Sequence, residues 1–280
     1  IPVITTVLPN QIVCSDDIVI TNPFVSLPSG ATFTWTNTNP AIGLPASGMG
    51  NIPNFTASNT TSLAISATID VLATSNGCSS SQSFTIIVNP RPFANPTITD
   101  YALCDYTNPG DGEEVFTLNT KTAEIINGQV GLTVTYYLTQ DDAEDQINPL
   151  PNSYTNTTIG APQTIWINIR NVTTGCNSVS SFNIVVNTLP VAVTPLPIFE
   201  CSIGTSTTQA DFDLTVNENV TTAGATGVTV TYYLSLPDAQ TPVNAITSPT
   251  TFLGNDGQTI YIRVEYTATG CYSTTTQLLR

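Results

Sequence analysis

Thr133-Val134-Thr135-Tyr136-Tyr137-Leu138 recurs residue for residue as Thr229-Val230-Thr231-Tyr232-Tyr233-Leu234. The run alternates with period two. Val134, Tyr136 and Leu138 fall on one face, and Thr133, Thr135 and Tyr137 on the other. Such alternation marks a half-buried β-strand, and its duplication marks a repeat. Working outward, Leu118 matches Leu214, Gly128 matches Gly224, Gly131 matches Gly227 and Asp142-Ala143 matches Asp238-Ala239. Thr164-Ile165-Trp166-Ile167-Asn168-Ile169-Arg170 matches Thr259-Ile260-Tyr261-Ile262-Arg263-Val264-Glu265. Residues upstream make a third module of different detail. It has Thr32-Phe33-Thr34-Trp35-Thr36 in place of the Tyr-Tyr run, and alternating strands through Ile65, Ala67, Ile69, Val71, Ala73 and through Phe84, Ile86, Val88. Gly, Asn, Pro and Ser clusters punctuate the chain at the spacing of an all-β module. The expectation is an all-β chain of three tandem β-sandwich domains, residues 1–91, 92–190 and 191–280. Helical turns are expected only at Lys121–Ile126 and Asp141–Gln146.

The six cysteines repeat the same division. Cys14, Cys78, Cys104, Cys176, Cys201 and Cys271 are spaced long-short-long-short-long. The second of each pair closes a matching tripeptide: Asn76-Gly77-Cys78, Thr174-Gly175-Cys176 and Thr269-Gly270-Cys271. Six cysteines allow 15 connectivities. The repeat selects one disulfide per domain: Cys14–Cys78, Cys104–Cys176 and Cys201–Cys271. Each would close a loop of roughly 70 residues, worth about 4 kcal/mol in the chain-entropy model, and tie one end of its sandwich. Paired cysteines in every repeat imply an oxidising, extracellular compartment.

The joints, Asn89-Pro90-Arg91-Pro92 and Asn187-Thr188-Leu189-Pro190 running on to Pro195 and Pro197, are short and stiffened by proline. A semi-rigid, extended string is expected. At ~33 Å per ten residues of strand, three modules end to end reach on the order of 100 Å. The chain starts and stops inside repeat-like sequence and reads as a piece of something longer.

Composition narrows function. Five Lys and Arg stand against twenty Asp and Glu, for a net charge of −15. Without a basic cluster there is no nucleic-acid surface, and an anionic membrane would repel the chain. No apolar run is long enough to insert in a bilayer. Histidine is absent, which removes the usual general base and the Ser-His and Cys-His nucleophile pairs. The chain is therefore read as no enzyme.

Residues 10–92 resemble the PKD-like, immunoglobulin-like repeats of very long secreted proteins of Bacteroidota. The resemblance rests on Val13-Cys14-Ser15, Thr34-Trp35-Thr36, the glycines at 43, 48 and 50, Asn76-Gly77-Cys78 and Val88-Asn89-Pro90. Residues 98–190 and 195–280 resemble a second, Ig-like repeat type of the same proteins. Its marks are Phe116-Thr117-Leu118 and Phe212-Asp213-Leu214, the Val-Thr-Tyr-Tyr strand, the Asp-Ala turn and Thr-Gly-Cys. The resemblance implies a cell-surface adhesin of the gliding-motility type, exported by the type IX pathway and either attached to the outer membrane or secreted.

The most site-like feature is Cys104-Asp105-Tyr106-Thr107-Asn108-Pro109-Gly110-Asp111-Gly112-Glu113-Glu114. Asp105, Asn108, Asp111 and Glu113 are the oxygen donors of a calcium candidate. The third repeat has Ser202-Ile203-Gly204-Thr205 there, so calcium would be confined to the second domain, and no other cofactor is expected. The acidic run Asp141, Asp142, Glu144 and Asp145 reads as solvated surface. Tyr137, Tyr233, Trp166 and Tyr261 alternate away from the aliphatic face, where aromatics stack on sugars or pack under a loop. Trp35 reads as core. The expected role is that of semi-rigid spacer repeats of an adhesin. The expected partners are neighbouring repeats of the same chain, with surface polysaccharide or other cell-surface components beyond them. Polysaccharide-binding modules, accessory modules of a secreted enzyme and a self-assembling surface filament are the alternatives.

Overall fold

A computed structural model of the chain describes residues 1–202, 204 and 208–280, so part of the Ser202–Thr205 loop lies outside the described residues. The chain divides into two compact units. One comprises Ile1–Ile98, Asn119–Pro151 and Ile165–Ser181; the other comprises Thr99–Leu118, Asn152–Thr164 and Phe182–Arg280. The second repeat contributes to both.

The first repeat, wholly in the first unit, carries β1 (Val3–Ile4), β2 (Gln11–Cys14), β3 (Ile18–Val19), β4 (Ser26–Leu27), β5 (Thr32–Asn37), β6 (Ser47–Met49), β7 (Phe55–Thr56), β8 (Ile65–Ser75) and β9 (Cys78–Asn89). Its main sheet has the order β2-β9-β8-β5-β6. β2 runs parallel to β9, from Gln11↔Ile86 to Cys14↔Asn89, and the other ladders are antiparallel. The pairs β1–β4 and β3–β7 stand apart from it. The alternation of β8 and β9 decides the core. Ala67, Ile69, Val71, Phe84, Ile86 and Val88 are buried with Trp35, and Val19, Phe24, Ile52 and Ala57 join them outside the main sheet. Gly48 of β6 is obligatory, because a Cβ there would lie 2.2 Å from Cζ2 of Trp35.

The second repeat carries β10 (Tyr101–Cys104), β11 (Val115–Thr117), α1 (Thr122–Ile126), β12 (Leu132–Tyr137), α2 (Gln140–Asp145), β13 (Ser153–Thr155), β14 (Gln163–Asn171) and β15 (Asn177–Asn187). The third carries β16 (Gln209–Phe212), α3 (Glu218–Thr221), β17 (Val228–Tyr233), α4 (Leu236–Gln240), β18 (Phe252–Asn255), β19 (Thr259–Tyr266) and β20 (Tyr272–Leu278). In the first unit β12 pairs antiparallel with β14, from Leu132↔Asn171 to Tyr137↔Trp166. In the second unit β10 runs parallel to the end of β15, closing on Cys104↔Asn187. β11 pairs with β13, β16 with β18, and β19 lies between β17 and β20, all antiparallel. Ile198 makes a parallel bridge to Leu279. Each repeat thus opens on a segment parallel to its own last strand.

The two expected helical turns form as α1 and α2. Thr139 caps α2 by accepting from the Asp142 N–H, and Gln146 closes it in the left-handed region. These helices change the reading of the Tyr-Tyr strand. Tyr137 and Tyr233 are buried together with Tyr136 and Tyr232, whereas Leu138 and Leu234 are exposed. Of the two readings of these tyrosines, stacking on sugar or packing under a neighbouring segment, the second is the one the structure shows for Tyr137 and Tyr233. Asn168 of β14 donates to Ala143 O of α2 at 2.9 Å, and Arg263 of β19 donates to Ala239 O of α4 at 3.0 Å. Both sheet faces are buried at this strand, and period-two alternation cannot report a helix laid across the second one.

Candidate functional site: covalent clamps between successive repeats

Two disulfides join the repeats in series. In the first unit Cys14 of the first repeat bonds Cys176 of the second, with Cα atoms 5.6 Å apart. In the second unit Cys104 of the second repeat bonds Cys271 of the third, also at 5.6 Å. Cys78 and Cys201 are free and exposed. The expected pairs Cys14–Cys78, Cys104–Cys176 and Cys201–Cys271 are therefore corrected.

The parallel opening strand is the physical reason. Cys14 lies opposite Asn89, the last residue of β9, and Cys78 is the first residue of that strand. Eleven steps of strand separate them, about 36 Å. A disulfide needs Cα atoms within about 7 Å. Cys104 and Cys176 stand in the same relation at the two ends of β15. In the third repeat Glu200 N–H bonds Arg280 O beyond the end of β20, while Cys271 immediately precedes its start. The first cysteine of a repeat therefore lies at the end from which the chain leaves. The second lies at the end at which the chain enters, beside the exit of the preceding repeat.

Each clamp has a second, non-covalent half. At the first, Arg91 of the proline joint donates through Nε to Ser15 O at 2.5 Å and through Nη1 to Asn177 O at 2.6 Å. Its Nη2 pairs with Asp17 Oδ1 at 2.5 Å. One guanidinium thus ties the residue after Cys14, the residue after Cys176 and the joint itself. At the second clamp the fastening is aromatic. The Tyr106 and Tyr272 rings are 5.5 Å apart, and the Tyr272 N–H donates to the Tyr106 hydroxyl at 3.3 Å. Arg263 Cζ lies 3.4 Å from the centroid of the Tyr272 ring, within cation–π range, and the same guanidinium pairs with Glu265 at 2.5 Å.

The acidic loop positions Tyr106 through hydrogen bonds from its own backbone to its carboxylates. Asp105 turns inward, and its Oδ2 accepts the Gly110 N–H at 2.7 Å and the Gly112 N–H at 3.3 Å. Asp111 accepts from the Glu113 N–H, and Asn108, Asp111 and Glu113 are exposed. Among the described residues no group of three or more His, Cys, Asp and Glu comes together. The carboxylate that organises the loop is Glu114, one residue past the expected set. Its Oε1 accepts the N–H groups of Tyr106 and Thr107, both at 2.7 Å, and its Oε2 the Thr107 hydroxyl at 2.8 Å. Burial works to raise its pKa, but these hydrogen bonds outweigh it and hold the carboxyl below the usual range. The signal that could have found it is the period-two alternation that places Glu114 on the same face as the buried Phe116 and Leu118. In the second acidic run Asp142 is part of the cap of α2, bonded to the Thr139 hydroxyl and the Asn148 amide. Asp141, Glu144 and Asp145 are exposed on or beside it, and Trp166 and Tyr261 are half-buried.

The family model described as Flavobacterium inter-domain disulphide bond domain matches residues 100–190 and 197–280. No curated protein matches. Among solved structures, the I-band fragment I67-I69 from titin is 9% identical, with 99% of this chain and 97% of that one covered and a TM-score of 0.36. Sidekick-1 immunoglobulin domains 1–4 are 10% identical, with 99% and 73% covered and a TM-score of 0.27. The N-terminal Ig1-2 module of the Drosophila receptor protein tyrosine phosphatase DLAR is 13% identical, with 67% and 99% covered and a TM-score of 0.22. Likenesses at these scores say nothing of function. The chain is a set of tandem structural repeats of all-β fold, and its disulfides place it outside the cytoplasm. Two matched stretches cover more than half of it, and the protein belongs to the family of the Flavobacterium inter-domain disulphide bond domain.

Proposed function

We propose that the chain is a non-catalytic spacer segment of an extracellular, cell-surface adhesin, holding a binding region away from the cell in surface attachment or gliding. The observation that carries this reading is that both disulfides run from one repeat to the next. A staple inside a repeat stabilises that repeat alone. A staple across a joint removes hinge freedom and limits how far the chain lengthens when pulled. The resemblance to Bacteroidota adhesin repeats supports the cell-surface setting. The shortage of cations and the absence of histidine fit a surface that neither binds nucleic acid nor performs acid–base chemistry.

The two closed loops overlap, because Cys104 lies between Cys14 and Cys176. The shortest covalent path from Ile1 to Arg280 enters at Cys14, crosses to Cys176, returns to Cys104, crosses to Cys271 and leaves. It holds about 94 backbone steps, roughly a third of the full chain, and at about 3.5 Å each reaches about 330 Å against about 980 Å without the bridges. Single-molecule pulling on the oxidised and the reduced protein tests the role. The spacer reading expects the oxidised chain to stop near the shorter length and the reduced chain to run to the longer. Equal extension in the two states would leave the clamps without a mechanical role.

A further inference from the structure

At equivalent positions of the two joints, a serine and an arginine on one stand against an aspartate and a leucine on the other. The Ser15 N–H bonds Asn89 O at the end of β9, and the Asp105 N–H bonds Asn187 O at the end of β15. Arg91 and Leu189 each lie two residues past that asparagine. At the first joint, within the first unit, Arg91 lines a recess with Ser15 and Ser178 and brings its guanidinium to Ser15 O and Asn177 O. At the second joint, within the second unit, the matching recess of about 360 Å³ is lined by Asp105, Thr188, Leu189 and Ser273. The first joint thus has a cation of its own, and the second has a carboxylate with a leucine where that cation would stand.

The carboxylate is only half satisfied. Asp105 is 2% exposed. Its Oδ2 accepts the N–H groups of Gly110 and Gly112, but its Oδ1 is buried with no hydrogen-bond partner among the described residues. None of the ion pairs among the described residues includes Asp105. Arg263 is engaged by Glu265 and by the Tyr272 ring. A buried carboxylate oxygen with neither donor nor counter-charge is costly to hold, and Leu189 has no donor to offer. The hydroxyls of Thr188 and Ser273 add neutral oxygens to the same recess. Such a set suits a hard cation and not a soft metal.

We propose that the second joint binds a calcium ion on Asp105 Oδ1, with the Thr188 and Ser273 hydroxyls and water completing its shell. The ion takes the place that the Arg91 guanidinium holds at the first joint. A single carboxylate leaves most of the shell to neutral ligands, which sets the affinity at the weak end, on the order of 10⁻⁴–10⁻³ M, as in extracellular modules. Magnesium demands near-ideal octahedral geometry and gives up its waters reluctantly, so it binds more weakly here. Asn108, Asp111 and Glu113 are exposed and take no part. The inference rests on the geometry of this joint and not on the spacer role, so pulling results do not bear on it.

The test is thermal unfolding of the oxidised, chelator-treated chain as calcium chloride is added, with magnesium chloride and potassium chloride at matched ionic strength. Calcium at ten times its dissociation constant is expected to raise the melting temperature by about 3–6 °C. Asp105→Asn keeps an oxygen for the Gly110 and Gly112 N–H groups but removes the charge, and is expected to lose the shift. Leu189→Arg is expected to lose it too, and to melt higher than the parent without calcium, because it supplies the cation built into the first joint. Asp111→Asn combined with Glu113→Gln is expected to keep it. No shift up to 10 times the upper end of that range, on the order of 10⁻² M, or an equal response to all three salts, would overturn the proposal. So would a shift that survives Asp105→Asn or Leu189→Arg, or one that the Asp111→Asn, Glu113→Gln protein loses.

Discussion

Arg91 is the residue on which the first joint turns. Its three donors reach two carbonyls and one carboxylate drawn from both sides of the joint. Hydrogen bonds with a charged partner contribute about 1.5–3 kcal/mol when sheltered. Arg91 and Asp17 are each about a third exposed, which screens the ion pair. Arg91→Ala is therefore expected to lower the stability of the oxidised first unit by about 1–2 kcal/mol, measured by denaturant unfolding. Arg91→Lys should recover less than half of that, because an ammonium cannot reach Ser15 O, Asn177 O and Asp17 with one planar fork. Full recovery by lysine would mean that charge, and not the fork, fastens the joint.

At the scale of elements, the strands were legible because their burial alternates. Ala67, Ile69, Val71 and Ala73 of β8 and Ile165, Ile167 and Ile169 of β14 are buried as their period requires. The pairing of β6 with β5 is a finer matter. Gly48 faces Trp35, and the indole occupies the space a Cβ would need. Gly48→Ala is expected to cost about 1–3 kcal/mol by overpacking, seen as an earlier unfolding midpoint with an unchanged slope. What the sequence hid has a common cause: it lies in how one segment folds onto another, which the period of a single strand does not report. The burial of Tyr137 and Tyr233 depends on a helix crossing the strand's second face. The roles of Asp105 and Glu114 depend on a loop that folds its own N–H groups onto its acids. The cysteine pairing depends on β2 and β10 running parallel to the last strand of their own repeats. A repeat requires only that equivalent cysteines do equivalent things. Pairing within a repeat and pairing with the next one satisfy that condition equally, and only the strand direction separates them.

At the scale of the whole molecule, the bridges close loops spanning 162 and 167 residues. In the chain-entropy model a loop of that length restricts the unfolded chain by about 5 kcal/mol, more than a staple within one repeat would. The larger consequence is connectivity, since each repeat is fastened to the next by sulfur as well as by peptide. The central claim is which sulfurs are joined. The most direct test is proteolysis of the unreduced protein, after alkylation of free thiols, with mass spectrometry of the linked fragments. The expected result is one fragment pair joined through Cys14 and Cys176 and another through Cys104 and Cys271, with neither Cys78 nor Cys201 bonded to those four. Fragments joined through Cys14 and Cys78, Cys104 and Cys176, and Cys201 and Cys271 would contradict it.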